Sequence, residues 1–260
     1  MESGKIFCDV KNGLGVNRGL NLTSAPRVHN SMPIRIEKGG TMKTRIPMVI
    51  AVSLIFCTCL LMPAFGQEMK PIQLPQPNLD QTKSLGHALK ERKTTRAYSS
   101  SNLSQQTLSN LLWAAWGINR PDSGRRTAPS AMNWQEIQVY ITTTEGMYLY
   151  DPKGNALIPV VSGDIRALTY TQPNFKDAPV NLVYVSDLEK MGGGEEGPKM
   201  VLTAMDTGFI AENVYLYCAS EGLPTGFRVS IDKEKLGQAM KLTATQRIMA
   251  AQSVGLPKGK

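Results

Sequence analysis

The segment Met42–Gln67 does most to limit what this chain can fold into. Lys43 and Arg45 open it, and Ile46–Met62 is an uncharged apolar run. Pro63 breaks that run, and Ala64-Phe65-Gly66 places small residues at the −3 and −1 positions of a cleavage point. A basic start, an apolar centre and a small-residue end form the three-part pattern of a secretory signal peptide. Two other readings stay open, an uncleaved membrane anchor and a buried helix, since the run is at the short end of a bilayer span of ~20 residues. Phe56 before Cys57 and Thr58 before Cys59 give no lipid-attachment pattern. Residues 1–41 show no amphipathic period and are rich in Gly, Asn and Ser. Glu37-Lys38-Gly39-Gly40 implies purine-rich codons just before Met42, as in a ribosome-binding sequence. Translation is therefore expected to start at Met42, with 1–41 a mis-assigned or disordered extension, 42–66 a leader and the product exported, in the periplasm.

This division changes what the charge means. The whole chain has 29 Lys+Arg against 21 Asp+Glu, a net +8 that suggests nucleic acid. From Gln67 to Lys260 the balance falls to 21 basic and 18 acidic residues over 194 positions. The basicity there gathers at Arg92, Lys93, Arg96, Arg125 and Arg126, with Lys258 and Lys260 at the end, so nucleic-acid binding is not expected. A content of 42% hydrophobic and 19% charged residues excludes a disordered or collagen-like chain. Two His and scattered Cys argue against a zinc site. Only Cys218 remains after the leader; its neighbours Tyr215, Leu216, Tyr217 and Ala219 make it a buried structural thiol.

Pro71–Pro77 reads as an extended lead, so 67–83 is expected to be a Pro-rich linker before one domain at 84–260. Ser84–Arg92 and Ser104–Gly117 carry helical apolar spacing, the second with Ser104 as N-cap and Gly117 as stop. Ile137–Thr143 predicts a strand. Met147–Tyr150 and Ala156–Val161 flank Asp151-Pro152-Lys153-Gly154-Asn155 and predict a hairpin. Val180–Ser186 predicts a central strand, and Lys199–Glu221 a core helix carrying Leu202, Met205, Phe209, Ile210, Val214, Tyr217 and Cys218, stopped by Gly222. A short helix over Asp232–Met240 and a strand over Gln246–Val254 complete an α+β pattern.

Two stretches can carry chemistry. Arg92-Lys93-Thr94-Thr95-Arg96 puts three cations and two hydroxyls at a helix end. That suits a phosphate, or equally a solvated basic helix terminus. Arg125-Arg126-Thr127-Ala128-Pro129-Ser130-Ala131-Met132-Asn133-Trp134-Gln135 offers amides whose donors and acceptors match a pyrimidine-like edge, or else a turn with Ser130 as an N-cap.

Together the motifs resemble the nitroreductase family of FMN enzymes. E-R-K-T-T-R-A-Y-S is similar to the family's first basic motif. R-T-A-P-S-A-M-N-W-Q is similar to its Pro-Ser-x-x-Asn-x-Gln motif, with a partial likeness to the azoline-oxidising dehydrogenase branch. Lys176-Asp177-Ala178-Pro179-Val180, the helix from Asp206 to Gly222-Leu223-Pro224-Thr225, and Val254-Gly255-Leu256-Pro257 follow in the family's order. The likeness implies a mixed sheet flanked by helices in an intertwined homodimer. It implies Arg92, Lys93 and Thr94 on the FMN phosphate and ribityl chain, and Arg96 at the flavin pyrimidine edge. Pro129, Ser130, Asn133 and Gln135 would lie along the ring, from the other subunit. Backbone N–H groups of Glu221 and Gly222, with Leu223, would lie near flavin N5 and O4, and Lys258 or Lys260 would meet the phosphate.

The resemblance further implies hydride transfer through N5 in a ping-pong cycle to a small organic acceptor, nitroaromatic- or quinone-like, with NAD(P)H as reductant. An exported enzyme would need a periplasmic or membrane redox donor instead. Azoline or peptide dehydrogenation and non-catalytic flavin binding are the alternatives. Met132-Asn133-Trp134 in place of that branch's Gly-Ala-x-Tyr-Pro departs from azoline oxidation.

Overall fold

A computed structural model describes residues 68–80 and 83–259; the leader and the residues before it lie outside this range. The elements in chain order are β1 (Ile72–Gln73), α1 (Leu85–Glu91), β2 (Tyr98–Ser99), α2 (Gln105–Trp116), β3 (Ile118–Arg120), β4 (Arg125–Arg126), β5 (Ile137–Thr142), β6 (Gly146–Asp151), β7 (Ala156–Ser162), β8 (Val180–Asp187), α3 (Glu196–Glu221), β9 (Thr225–Arg228), α4 (Lys233–Met240), β10 (Gln246–Val254) and β11 (Leu256–Pro257). Seven strands form one sheet in the order β1-β7-β6-β5-β8-β10-β9, and within the chain every pairing in it is antiparallel. The α+β expectation holds.

β8 is the spine of that sheet. It reads V-N-L-V-Y-V-S-D without strict alternation because both faces of the sheet are covered. Leu182 and Tyr184 point to the layer made by α2 and α3, where they meet Leu111, Leu112, Ile210 and Val214. Val183 and Val185 point the other way, onto Leu236 and Met240 of α4. The expected hairpin is β6–β7. Asp151 closes its turn, its carboxylate accepting from Lys153 N–H and Gly154 N–H at 3.0 Å each. Helix ends carry capping residues, Ser104 and Gly222 as read from sequence and Ser84 in addition. Ser84 and Ser104 accept from the backbone of His87 and Thr107, and Gly222 stops α3 in the left-handed conformation at φ +70°.

Two expectations are corrected. Pro71–Pro77 is not a linker. β1 extends the sheet beside β7, Leu74 is buried in the core, and the Pro75 carbonyl accepts from Ser109 Oγ and Asn155 Nδ2. α3 is not a core helix over its whole length. It begins at Glu196, and Met205 and Phe209 face outward rather than into the core.

Candidate functional site

The site is built where α1 ends. Arg92 N–H closes that helix on Ala88 O, and the chain runs on extended to Ala97, pinned by Thr95 N–H to Thr225 O at 2.9 Å. Successive side chains of an extended segment point to opposite sides. Arg92 lies over the ring of Tyr215 at 5.4 Å, and Thr94 Oγ1 is 2.9 Å from the Tyr215 hydroxyl. That hydroxyl also accepts from Phe227 N–H at 3.0 Å, which fixes it to β9. Arg96 lies over Phe175 at 5.4 Å. Arg92, Thr94 and Arg96 therefore form one row along Tyr215, Phe227 and Phe175.

Lys93 and Thr95 face a separate cavity of about 440 Å³, shared with His87, Glu91, Gly222, Leu223 and Lys258. The single basic cluster expected from sequence is thus divided between two sides of one segment. Lys260 lies outside the described residues.

Gly226 sits at the inner end of the Arg92–Arg96 row. A first side-chain carbon there would fall 2.9 Å from the Phe175 ring, 3.1 Å from the Tyr98 hydroxyl and 3.6 Å from Arg96 Cγ. The space beside Gly226 is filled by these side chains, and only glycine lets them pack this closely on the backbone. The ion pairs among the described residues are Asp164–Arg166, Asp232–Lys235 and Glu196–Arg247, and Arg92, Lys93, Arg96 and Lys258 belong to none of them. A row of cations outside these ion pairs fits an anionic ligand.

Gly222 is less suited to the role expected of it. Its N–H closes α3 on Cys218 O, and Leu223 N–H goes to the same carbonyl at 2.8 Å. Gly222 is thereby removed as a ligand donor, and the exposed Glu221 is the last residue of the helix. Cys218 is fully buried, and burial pushes its thiol well above the ordinary range, as a structural thiol requires.

The second motif forms a tight turn beside α3. Ser130 Oγ accepts from Gln135 N–H at 2.7 Å and donates to Glu136 Oε2 at 3.3 Å, so it caps the turn and not a helix. Gln135 is committed internally: its carbonyl oxygen accepts from Arg126 Nε at 2.8 Å and its amide donates to Gly124 O and Asn133 Oδ1. It has no edge left for a flavin. Arg126 also lies over Trp116 at 5.3 Å. Met132, Asn133 and Gln135 all have positive φ, near +50°, a conformation that costs side-chain-bearing residues energy. Met132 projects with 81% of its surface exposed, and Pro129 and Asn133 are also exposed. None of the hydrogen bonds or ring contacts of Pro129, Ser130 or Asn133 reaches Arg92–Arg96. The two motifs do not close one site within a chain.

Ala131 N–H ties this turn to α3 through Asp206 Oδ2 at 2.8 Å. Glu136 is fully buried next to it, and burial, helped by the Asp206 charge, raises its carboxyl to about 7. Sequence reasoning did not identify this pair, nor Tyr215, Gly226 or Phe175.

Comparison with known proteins is consistent with this geometry. The model of the nitroreductase family matches residues 89–256. A protein of Methanocaldococcus jannaschii with a provisional nitroreductase name is 28% identical over 166 residues, 59% of this chain and 82% of that protein. A crystal structure from Ralstonia eutropha JMP134, also provisionally named a nitroreductase, is 34% identical with a TM-score of 0.71, covering 76% of this chain and 94% of that one. A Desulfovibrio desulfuricans structure of the same designation, in complex with FMN, shares the fold at TM-score 0.50 and 19% identity, over 68% of this chain and 88% of its own.

Proposed function

Because the chain belongs to the nitroreductase family of FMN-dependent oxidoreductases, we propose that it holds FMN along the row Arg92, Thr94 and Arg96 and reduces a small organic acceptor of nitroaromatic or quinone type. The observation that carries this reading is the row itself, two guanidiniums outside the ion pairs of the described residues and a hydroxyl, lined up along Tyr215 and Phe175. Bound FMN supplies hydride acceptance and delivery at its N5. The chain's own residues do the rest. Tyr215 holds Arg92 by its ring and Thr94 by its hydroxyl, so the phosphate and ribityl contacts are set before the ligand arrives. Arg96, steadied on Phe175, brings positive charge to the pyrimidine edge. His87 and Cys218 take no part: both border the separate cavity, and the Cys218 thiol is fully buried.

The ring would be covered by a second copy of the chain, as an intertwined homodimer. Val201, Met205 and Phe209 form an exposed stripe on α3, next to the turn that presents Met132 and Asn133. NAD(P)H is the reductant in the cytoplasmic case, and a periplasmic or membrane redox partner in the exported case. Met42–Gln67 supports export. No helix of the described residues is long and apolar enough to cross a membrane.

The test is purification of the full chain from its native host. A yellow dimer with FMN absorption, reduced by NADH, NADPH or dithionite and reoxidised by a quinone, is expected. A colourless protein that cannot be reconstituted with FMN overturns the reading, and reduction by dithionite without turnover on any acceptor marks a flavin carrier instead. Arg92→Ala should weaken FMN binding at least about tenfold, the scale of one charge-assisted contact; unchanged affinity would refute the phosphate assignment. Recovery of the chain with the soluble periplasmic fraction supports a cleaved leader, and recovery with membranes supports an anchor.

A further inference from the structure

Behind Arg96 the fold contains a second cation that the family likeness does not assign. Arg228, at the end of β9, is 5% exposed. Its Nε donates to Thr169 O at 2.8 Å, Nη1 to Ser253 Oγ at 2.8 Å and Gly226 O at 3.5 Å, and Nη2 to Asn181 Oδ1 at 2.9 Å and Thr169 Oγ1 at 3.1 Å. Every acceptor is neutral. The titratable groups facing it are Tyr98, Tyr170 and Tyr184, and none is a carboxylate. Burial lowers the Arg228 guanidinium to about 10, which still leaves it charged at neutral pH. Stability alone does not explain a buried cation without a counter-charge.

Its position suggests what it does. The guanidinium lies 4.2 Å from the Phe175 ring centre, and Arg96 lies 5.4 Å from the same centre. Beside both is the Tyr98 hydroxyl, buried without a hydrogen-bond partner and 3.1 Å from the point where Gly226 would carry a side chain. Two cations and an unsatisfied hydroxyl meet at the inner end of the proposed flavin row.

We propose that Arg228 is a positioning residue for charge: it forms the buried half of a two-cation platform with Arg96 around Phe175, and it raises the potential of the flavin by favouring the reduced, negatively charged ring. This rests on the FMN reading above. In the reaction concerned, two electrons and one proton enter the flavin and the second proton stays off, leaving a single negative charge for the platform to balance. Arg96 can touch the ligand; Arg228 acts across Phe175, where the low-polarity surroundings screen its charge weakly.

Asn181 allows the charge to be tested without removing the arginine. Its Oδ1 accepts from both Arg228 and Ser253, while its Nδ2 has no partner. N181D therefore keeps both hydrogen bonds, loses none and places a carboxylate against Arg228. In the full-length, FMN-loaded protein, titrated with dithionite against a reference dye, N181D should favour oxidised over reduced FMN by about tenfold more than wild type, a midpoint about 30 mV lower. Oxidised FMN should bind as before. R228Q should lower the midpoint by a similar amount and R228K should restore it, which covers the case in which N181D does not fold.

A purely structural role for Arg228 predicts no change in N181D. An unchanged midpoint in N181D, or in R228Q should N181D not fold, overturns the proposal while the FMN reading stands. Wild-type protein that takes up no FMN overturns both.

Discussion

The two halves of α3 pack in opposite senses. From Ile210 onward the helix buries apolar residues, with Ile210, Val214 and Cys218 fully enclosed against the sheet. Before Ile210 it buries Thr203, Asp206 and Thr207 and leaves Val201, Met205 and Phe209 outside at 55, 55 and 48% exposure. The buried hydroxyls are satisfied locally: Thr207 donates to Thr203 O at 2.7 Å and Thr203 to Met200 O at 3.1 Å. The second half thus draws its stability from the chain itself. The first half shows the solvent an apolar stripe that only a further surface can cover. A single helix serves the fold at one end and, in the proposed homodimer, assembly at the other.

The comparison can be broken at several points. Ile210→Ala should destabilise the chain by about 2–5 kcal/mol, the range for a truncated core aliphatic, measured by urea unfolding. Phe209→Glu should leave that unfolding midpoint nearly unchanged yet weaken self-association at least a hundredfold, about 2.7 kcal/mol, read by sedimentation. A dimer intact in Phe209→Glu would remove the stripe from the interface.

Glu136 sharpens the same contrast through pH. Its carboxyl is raised in the fold, so the folded state holds a proton that the unfolded chain has released. Stability should therefore be full below the ordinary glutamate range and decline as pH rises towards about 7. Glu136→Gln should abolish that decline and leave the protein more stable than wild type at pH 8; a decline that persists would exclude Glu136 as its source. The smallest effect is expected for Met205→Gln, within about 0.5 kcal/mol in the folding of the single chain.

How much of this was legible in the sequence depended on which atoms carry each feature. β8 and β10 were readable because side chains on both faces form an apolar run. The hairpin was readable because Asp151 and Gly154 have a fixed turn chemistry, and α2 because Ser104 caps it. Arg92, Thr94 and Arg96 were readable as residue types, but their separation from Lys93 is a matter of backbone direction. Arg228 looks like the polar position of an alternating strand, and only the packing of Phe175 and Thr169 shows that it is enclosed. Gln135 carries the right amide for ring recognition, but Arg126 and Gly124 occupy it. The inverted half of α3 was misread because apolar spacing gives a face and not its direction.

Pro71–Pro77 was misread because its docking uses main-chain oxygens. Asn78 O and Gln76 O accept from Asn110 and Gln106 of α2, as Pro75 O does from Ser109 and Asn155. The domain's true upstream edge thus lies well before residue 89, where the family match begins. A chain trimmed to the matched stretch would leave a hollow where Leu74 sits and strip the buried Asn155 and Ser109 of their shared acceptor. Anyone shortening this protein has to cut ahead of Ile72; a cut at Ser84 gives a shorter chain with an open seam.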